Sequence, residues 1–287
     1  MRNAHLPGPV LKWAGGKTQL LDRILALLPE RIDTYYEPFV GGAAVFFALA
    51  RERRFRRAVL SDRNPDLVAV YHALQQDVEG VIEVLRGYRY SEEEYYRLRG
   101  EKPRSLVKRA ARIIYLNKTG YNGLYRVNSS GQFNVPFGRY VNPRICDEQR
   151  LGAAAEALKD VKLVERDFEQ TVRRAKPGDA VYFDPPYVPV SRTSNFTAYA
   201  RDGFGMDEHA RLARVFAEVA ERGARVVLSN SDTPETRELF GVFKPEKVLV
   251  ARSINSRATG RGRIREILVS AGPEAAKPAK RRAGRTR

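Results

Sequence analysis

At 287 residues, 43% of them hydrophobic, the chain is long enough for one large domain or two modest ones around a sizeable core. Its 51 Lys and Arg against 34 Asp and Glu leave a net charge of +17, which points to a polyanionic partner, nucleic acid first, ahead of a basic surface serving solubility alone. A single cysteine, Cys146, excludes an internal disulfide and a Cys-rich zinc site, and His5, His72 and His209 are too scattered to suggest a metal. No apolar run approaches the ~20 residues of a membrane span and no signal peptide opens the chain, so a cytoplasmic protein with no metal and no membrane partner is expected.

In chain order, residues 11–16 read as a glycine-containing loop and 17–28 as a helix, with Leu20, Leu21, Ile24, Leu25 and Leu28 at helical spacing and Pro29 as its stop. A short buried strand over 35–40, the Gly41-Gly42 turn and an apolar helix over 43–50 open an α/β unit, and a second strand over 58–61 ends at Asp62. From residue 65 the texture turns helical, with apolar periodicity over 67–76, 78–86, 92–98 and 105–117. A polar, glycine- and asparagine-rich stretch follows over 118–140, where Asn128-Ser129-Ser130-Gly131 marks a hairpin turn. Strands return over 161–164, 180–183 and 225–229, with an amphipathic helix over 209–222 and an antiparallel pair over 248–252 and 266–269. The expected organisation is a discontinuous α/β domain, 1–64 and 154–273, holding a mostly helical insert, 65–153, with a basic disordered tail over 274–287.

The strongest chemical signal is Asp184-Pro185-Pro186-Tyr187, directly after the apolar Val181-Tyr182-Phe183, because open α/β sheets place their sites at the carboxyl ends of parallel strands. An exocyclic amine such as adenine N6 is a poor nucleophile, its lone pair being delocalised into the ring. A carboxylate and a backbone carbonyl that accept both amine hydrogens would localise that lone pair. Asp184 supplies the carboxylate, Pro185 a carbonyl whose direction Pro186 restricts, and Tyr187 a ring on which an extruded base can stack. The plainer alternative is a double-proline turn that merely ends a strand.

Glu37-Pro38-Phe39-Val40-Gly41-Gly42 forms a second constellation, in which glycines let a ligand approach the backbone and free N–H groups at the helix start favour a carboxylate; a lone Gly-Gly is more often an ordinary turn. Lys12-Trp13-Ala14-Gly15-Gly16-Lys17-Thr18 suggests a phosphate-binding loop, but that motif needs a glycine five positions before Gly16, where Leu11 stands. Trp13 and Lys17 can still line a pocket. Asp62, about 20 residues past the glycine turn, suits a ribose diol as well as it suits a helix cap. Residues 117–126 and 134–140 alternate basic, aromatic and amide side chains with glycines, as a base-reading surface would and as a polar hairpin with buried tyrosines also would.

Together these motifs, in this order, resemble the Dam family of DNA adenine-N6 methyltransferases, in the alpha group of amino-methyltransferases, from Leu11 to about Val269; Asn195-Phe196-Thr197-Ala198-Tyr199 and Ser229-Asn230-Ser231-Asp232 are similar to further family segments. The resemblance implies a Rossmann-like class I methyltransferase sheet with an inserted, mostly helical DNA-recognition subdomain, and S-adenosylmethionine as cofactor. It places Trp13, Lys17, Asp62 and Asp184 on that cofactor, Glu37 and the Phe39-to-Gly42 turn, Gly41 included, at its methionine end, and Asp167-Phe168 near its adenine. Catalysis would rest on Asp184, Pro185, Pro186 and Tyr187. For double-stranded DNA it implies Tyr121 and Asn122 intruding beside the flipped adenine, Leu124, Arg126, Pro136 and Tyr140 reading the outer bases of GATC, and Lys12 and Arg139 as further DNA contacts. Cytosine N4 enzymes more often carry Ser in place of Asp184, which disfavours that acceptor; adenine in RNA, a catalytically silent DNA-binding module, and pairing with a cognate restriction endonuclease stay open.

Overall fold

A computed structural model describes residues 6–13, 17, 19–190, 203–251 and 263–273. The expected segments at 14–16, Thr18 and 195–199, and the tail from 274, lie outside the described residues.

Seven strands form one sheet in the order β3-β2-β1-β4-β5-β7-β6, with β1 Ile32–Glu37, β2 Phe55–Asp62, β3 Lys162–Glu165, β4 Ala180–Phe183, β5 Arg225–Ser231, β6 Glu246–Ala251 and β7 Arg263–Ala271. All neighbours are parallel except β7, which runs antiparallel between β5 and β6. This is the open, doubly wound α/β sheet expected from the sequence. β4 is buried along its whole length and β5 likewise, as strands covered on both faces must be. Their side chains alternate between two cores. Tyr35, Ala180, Tyr182, Val227 and Leu268 face one; Tyr36, Val181, Phe183, Val226, Leu228, Ile267 and Val269 face the other.

On the first face lie α1 Leu21–Leu27, α2 Ala44–Arg51 and the helices α3 Pro65–Arg86, α4 Glu92–Gly100, α5 Leu106–Thr119 and α6 Glu148–Leu158. The second face is covered by α7 Phe168–Val172, α8 Met206–Glu221 and α9 Pro234–Phe240; α8 buries His209, Leu212, Val215, Phe216 and Val219 at helical spacing. Caps follow the sequence locally. Asn64 accepts the N–H groups of Asp66 and Leu67 ahead of Pro65, and Ser91, Ser105, Asp147, Asp167 and Thr233 start the helices behind them.

The expected break between 76 and 78 appears as a kink inside one helix: Asp77 leaves helical geometry at φ −155° and its carboxylate accepts the Gly80 N–H, restarting the helix. β1 begins and ends three residues earlier than expected, since Pro38 has no N–H to continue a ladder. The antiparallel pair exists but does not simply close the sheet, because β7 is wedged between β5 and β6. Two short helices, α7 and α9, have too few residues to show a period and were not anticipated.

The strand order reverses between β1 and β4, the position at which open α/β sheets bind ligands beyond their carboxyl ends. Glu37 ends β1 and Asp184 follows β4, so two acids converge at that point. The insert folds by tying helix ends together: buried Arg112 donates to the carbonyls of Leu98 and Arg99 at the end of α4, and Tyr95 donates to the Val135 carbonyl.

Candidate active site and nucleic-acid face

Three carboxylates stand at adjacent strand tips: Glu37, Asp62 and Asp184. Burial pushes all three upward, Glu37 to about 8, against the hydrogen bonds and charges that partly stabilise their ionised forms. Glu37 is 3% exposed, and its Oε2 accepts the Tyr35 hydroxyl at 2.9 Å and the Phe46 N–H at 3.1 Å. Asp62 accepts the Gly41 N–H at 3.2 Å and the Asn64 N–H at 3.0 Å. The expectation of free N–H groups at this turn is corrected for two of them: Gly41 N–H is taken by Asp62 and Phe46 N–H by Glu37. Asp62 is not the cap of α3 either, a position held by Asn64.

The Lys17 ammonium lies 2.7 Å from Asp184 Oδ1, and the Ser229 hydroxyl donates to the same oxygen at 3.2 Å. Ser229 in turn shares a 2.8 Å hydrogen bond with the Tyr182 hydroxyl. Lys17 also sits 4.8 Å from the centre of the Tyr187 ring. Pro185 is buried and Pro186 exposed, so the two prolines turn the chain from the core to the surface within one step. Behind them Val188 donates its N–H to the buried Asn230 Oδ1 at 3.0 Å.

Trp13 is wedged over the glycine turn. Gly41 adopts φ +45°, and a Cβ there would meet the indole Cδ1 at 2.8 Å. Phe39 stacks on Phe168 with ring centres 5.4 Å apart and meets Phe204 edge-on at 5.5 Å, which joins the turn after β1 to the segment after β3 in one aromatic wall. Asp167, beside it, feels burial upward, but the Arg211 guanidinium at 2.8 Å and the Glu169 N–H outweigh it and hold its carboxyl low. Arg211 lies 4.1 Å over the Phe168 ring.

This donor set fits S-adenosylmethionine. Desolvated acids outnumber the neighbouring ammonium, which suits a ligand carrying a sulfonium and an ammonium, and an aromatic wall adjoins them for its purine. Glu37, Asp62 and the Phe39-to-Gly41 turn are the groups that would hold it. Among the described residues no group of three or more metal-ligating side chains comes together, and no described helix is long and apolar enough to cross a membrane.

The second expected set gathers separately. Tyr121, Asn122, Arg139 and Tyr140 line one cavity of about 350 Å³ with Phe137 and Gly138. Tyr121 is 45% exposed and Asn122 takes a left-handed φ of 55° in the turn after α5. Lys12 reaches over the Tyr140 ring at 5.3 Å. Leu124, Arg126 and Pro136 lie outside that cavity; exposed Arg126 donates to Asn134 Oδ1 at 2.7 Å across a hairpin bridged at Val127 and Phe133. Two contacts connect this set to the first. Trp13 touches the Tyr125 ring at 5.2 Å, and fully buried Asn117 exchanges hydrogen bonds with the Lys12 backbone while donating to the Gly123 carbonyl at 2.9 Å. Asn117, Ser229 and Asn230 carried a motif signal without a role, Arg211 is placed by helix docking, and Glu266, described below, had no local signal at all.

Residues 13–254 match the D12 class N6 adenine-specific DNA methyltransferase family. The chain is 42% identical over 272 residues to the Type II methyltransferase M1.LlaDCHI of Lactococcus lactis subsp. cremoris, covering 91% of this chain and 94% of that one. It is also 42% identical over 282 residues to the Type II methyltransferase M.MjaIII of Methanocaldococcus jannaschii, with 91% and 98% covered. A DNA adenine methylase of Escherichia coli K12 is 38% identical over 277 residues, with 94% and 98% covered.

Proposed function

From the premise that this chain belongs to the D12 class of N6 adenine-specific DNA methyltransferases, the Dam family, we propose that it methylates adenine within GATC after extruding the base from the duplex. S-adenosylmethionine is the methyl donor and supplies a methyl group activated by its positively charged sulfur. The observation that carries the reading is the tethering of Asp184: the Lys17 ammonium and the Ser229 hydroxyl both meet Oδ1, so Oδ2 is the oxygen offered to an incoming amine.

Asp184 Oδ2 and the Pro185 carbonyl accept the two N6 hydrogens and localise the nitrogen lone pair. Tyr187 receives the face of the base, with extrusion costing roughly a few kcal/mol. The Lys17 ammonium favours the ionised form of Asp184 against the desolvation that pushes its carboxyl up. Trp13, Lys17, Glu37, Phe39, Gly41, Asp62, Asp167 and Phe168 hold the donor. The 65–153 insert serves as the target-recognition part, with Tyr121 and Asn122 entering beside the vacated position. Leu124, Arg126, Pro136 and Tyr140 read the outer bases, and Lys12 and Arg139 take further DNA contacts. The net charge of +17 brings duplex DNA to this face in the cytoplasm.

Tritiated donor with GATC-containing and GATC-free duplexes tests this. Label confined to the GATC duplex is the expected result, and label in both would overturn the site assignment. A 2-aminopurine in place of the target adenine should brighten on binding, and an unchanged signal would overturn extrusion. Asp184→Ala should cut single-turnover methylation by about a thousandfold while S-adenosylhomocysteine still binds.

A further inference from the structure

The antiparallel register of β5 with β7 places Glu266 directly opposite Ser231, one residue from Asn230 and two from Ser229. Its carboxylate Oε2 accepts the Tyr187 hydroxyl at 3.0 Å. The same sheet corner therefore meets the Asp184-to-Val188 turn three times: Ser229 on the Asp184 carboxylate, Asn230 on the Val188 N–H, and Glu266 on the tip of the Tyr187 ring. Tyr187 is pinned at both ends, by its following backbone and by its hydroxyl, while the Lys17 ammonium stands over its face.

Building on the reading above, in which Tyr187 is the platform for the extruded base, we infer that Glu266 is a positioning residue for the reaction: its hydrogen bond fixes the direction of the Tyr187 ring axis, and with it the place of the ring beside Asp184. A tyrosine on a proline-rich turn can swing about Cα–Cβ, and a hydroxyl anchor at the far end of the ring removes that swing. A carboxylate is the strong choice of anchor, because a hydrogen bond to a charged acceptor is shorter and roughly twice as strong as a neutral one. β7 supplies it beside β5, whose Ser229 and Asn230 meet the same turn. Glu266 acts through the tyrosine and does not touch the reacting amine. This also gives the one antiparallel insertion in the sheet a task at the site.

The test is a double-mutant cycle on methylation of mixed-sequence duplex DNA free of methylated adenine, which does not depend on the GATC assignment. Glu266→Ala and Tyr187→Phe should each lower kcat by about tenfold and leave S-adenosylhomocysteine affinity unchanged. The double variant should be no worse than either single one, because both remove the same hydrogen bond. Glu266→Gln, which keeps the acceptor and folds without a cavity, should stay within about threefold of the parent. Additive losses in the double variant would overturn the inference, as would a Glu266→Gln as impaired as Tyr187→Phe, or a loss of S-adenosylhomocysteine binding in Glu266→Gln. Tyr187→Ala tests the underlying reading by itself: undiminished turnover there would overturn the platform and this inference together, whereas a large loss combined with an indifferent Glu266 would overturn the inference alone.

Discussion

The strand-tip site and the hairpin face are built on opposite physical terms. At the strand tips, burial raises the carboxyls of Glu37, Asp62 and Asp184, so their ionised forms are poorly hydrated and Glu37 keeps its proton at neutral pH. At the hairpin face the polar groups are exposed and satisfy one another, Arg126 on Asn134 and the Tyr140 hydroxyl on the Gly120 carbonyl at 3.0 Å, so the shape of the turn is what counts. The first region is shaped by desolvation and the second by the geometry of its turn. The two meet through the 10–13 segment, by Trp13 on Tyr125 and by Asn117 on Lys12, and through the start of α3, where the Tyr125 hydroxyl donates to Asp66.

Three variants sharpen that contrast. The largest effect belongs to Glu37. Because burial raises its folded pKa to about 8, the folded chain keeps a proton that the unfolded chain releases above about pH 4.5. Its contribution to stability is thus full below pH 4.5 and is lost as pH rises toward 8. Glu37→Gln should gain on the parent across that window, by on the order of 3 kcal/mol at pH 8, read by thermal unfolding without donor. A parallel pH dependence in the two proteins would show that the acid is not desolvated.

Next is Asn117→Ala, which strands buried partners in Lys12 and Gly123 and should cost about 2 kcal/mol in urea unfolding while weakening DNA binding more than S-adenosylhomocysteine binding. Equal weakening of both ligands would mean that the two regions are one. The smallest effect is expected at Arg126: Arg126→Ala should leave the melting temperature in place and relax discrimination at one outer base by about tenfold, measured on duplexes with single substitutions. A large loss of stability there would erase the distinction between the regions.

The sheet was legible because β1, β4 and β5 are short apolar runs with Pro soon after them, and because parallel central strands need no alternation to be recognised. The strand-tip acids could be read as candidates from their positions after those runs. Sequence could not decide whether Asp62 caps a helix or braces a turn, since that depended on Asn64 taking the cap and Gly41 lying within reach. Nor could it find Glu266, which lies 79 positions from Tyr187 and reaches it only through the β5–β7 register. The hairpin turn at Asn128 was visible, its carboxamide accepting the Ser130 and Gln132 N–H groups as such residues do in turns. The anchoring of Arg126 was not, because side-chain pairing across a hairpin follows from its register.

The wedge of Trp13 over Gly41 has an evolutionary corollary. With the indole already occupying the place where any Cβ at 41 would go, and with the backbone there at φ +45°, neither residue is free to drift by itself. A lineage could acquire a side chain at 41 only after the tryptophan had shrunk, and a shrunken tryptophan would forfeit the ring contact with Tyr125. Positions 13, 41 and 125 should therefore change together, which limits how far chains of this shape can wander while keeping the strand tips joined to the hairpin.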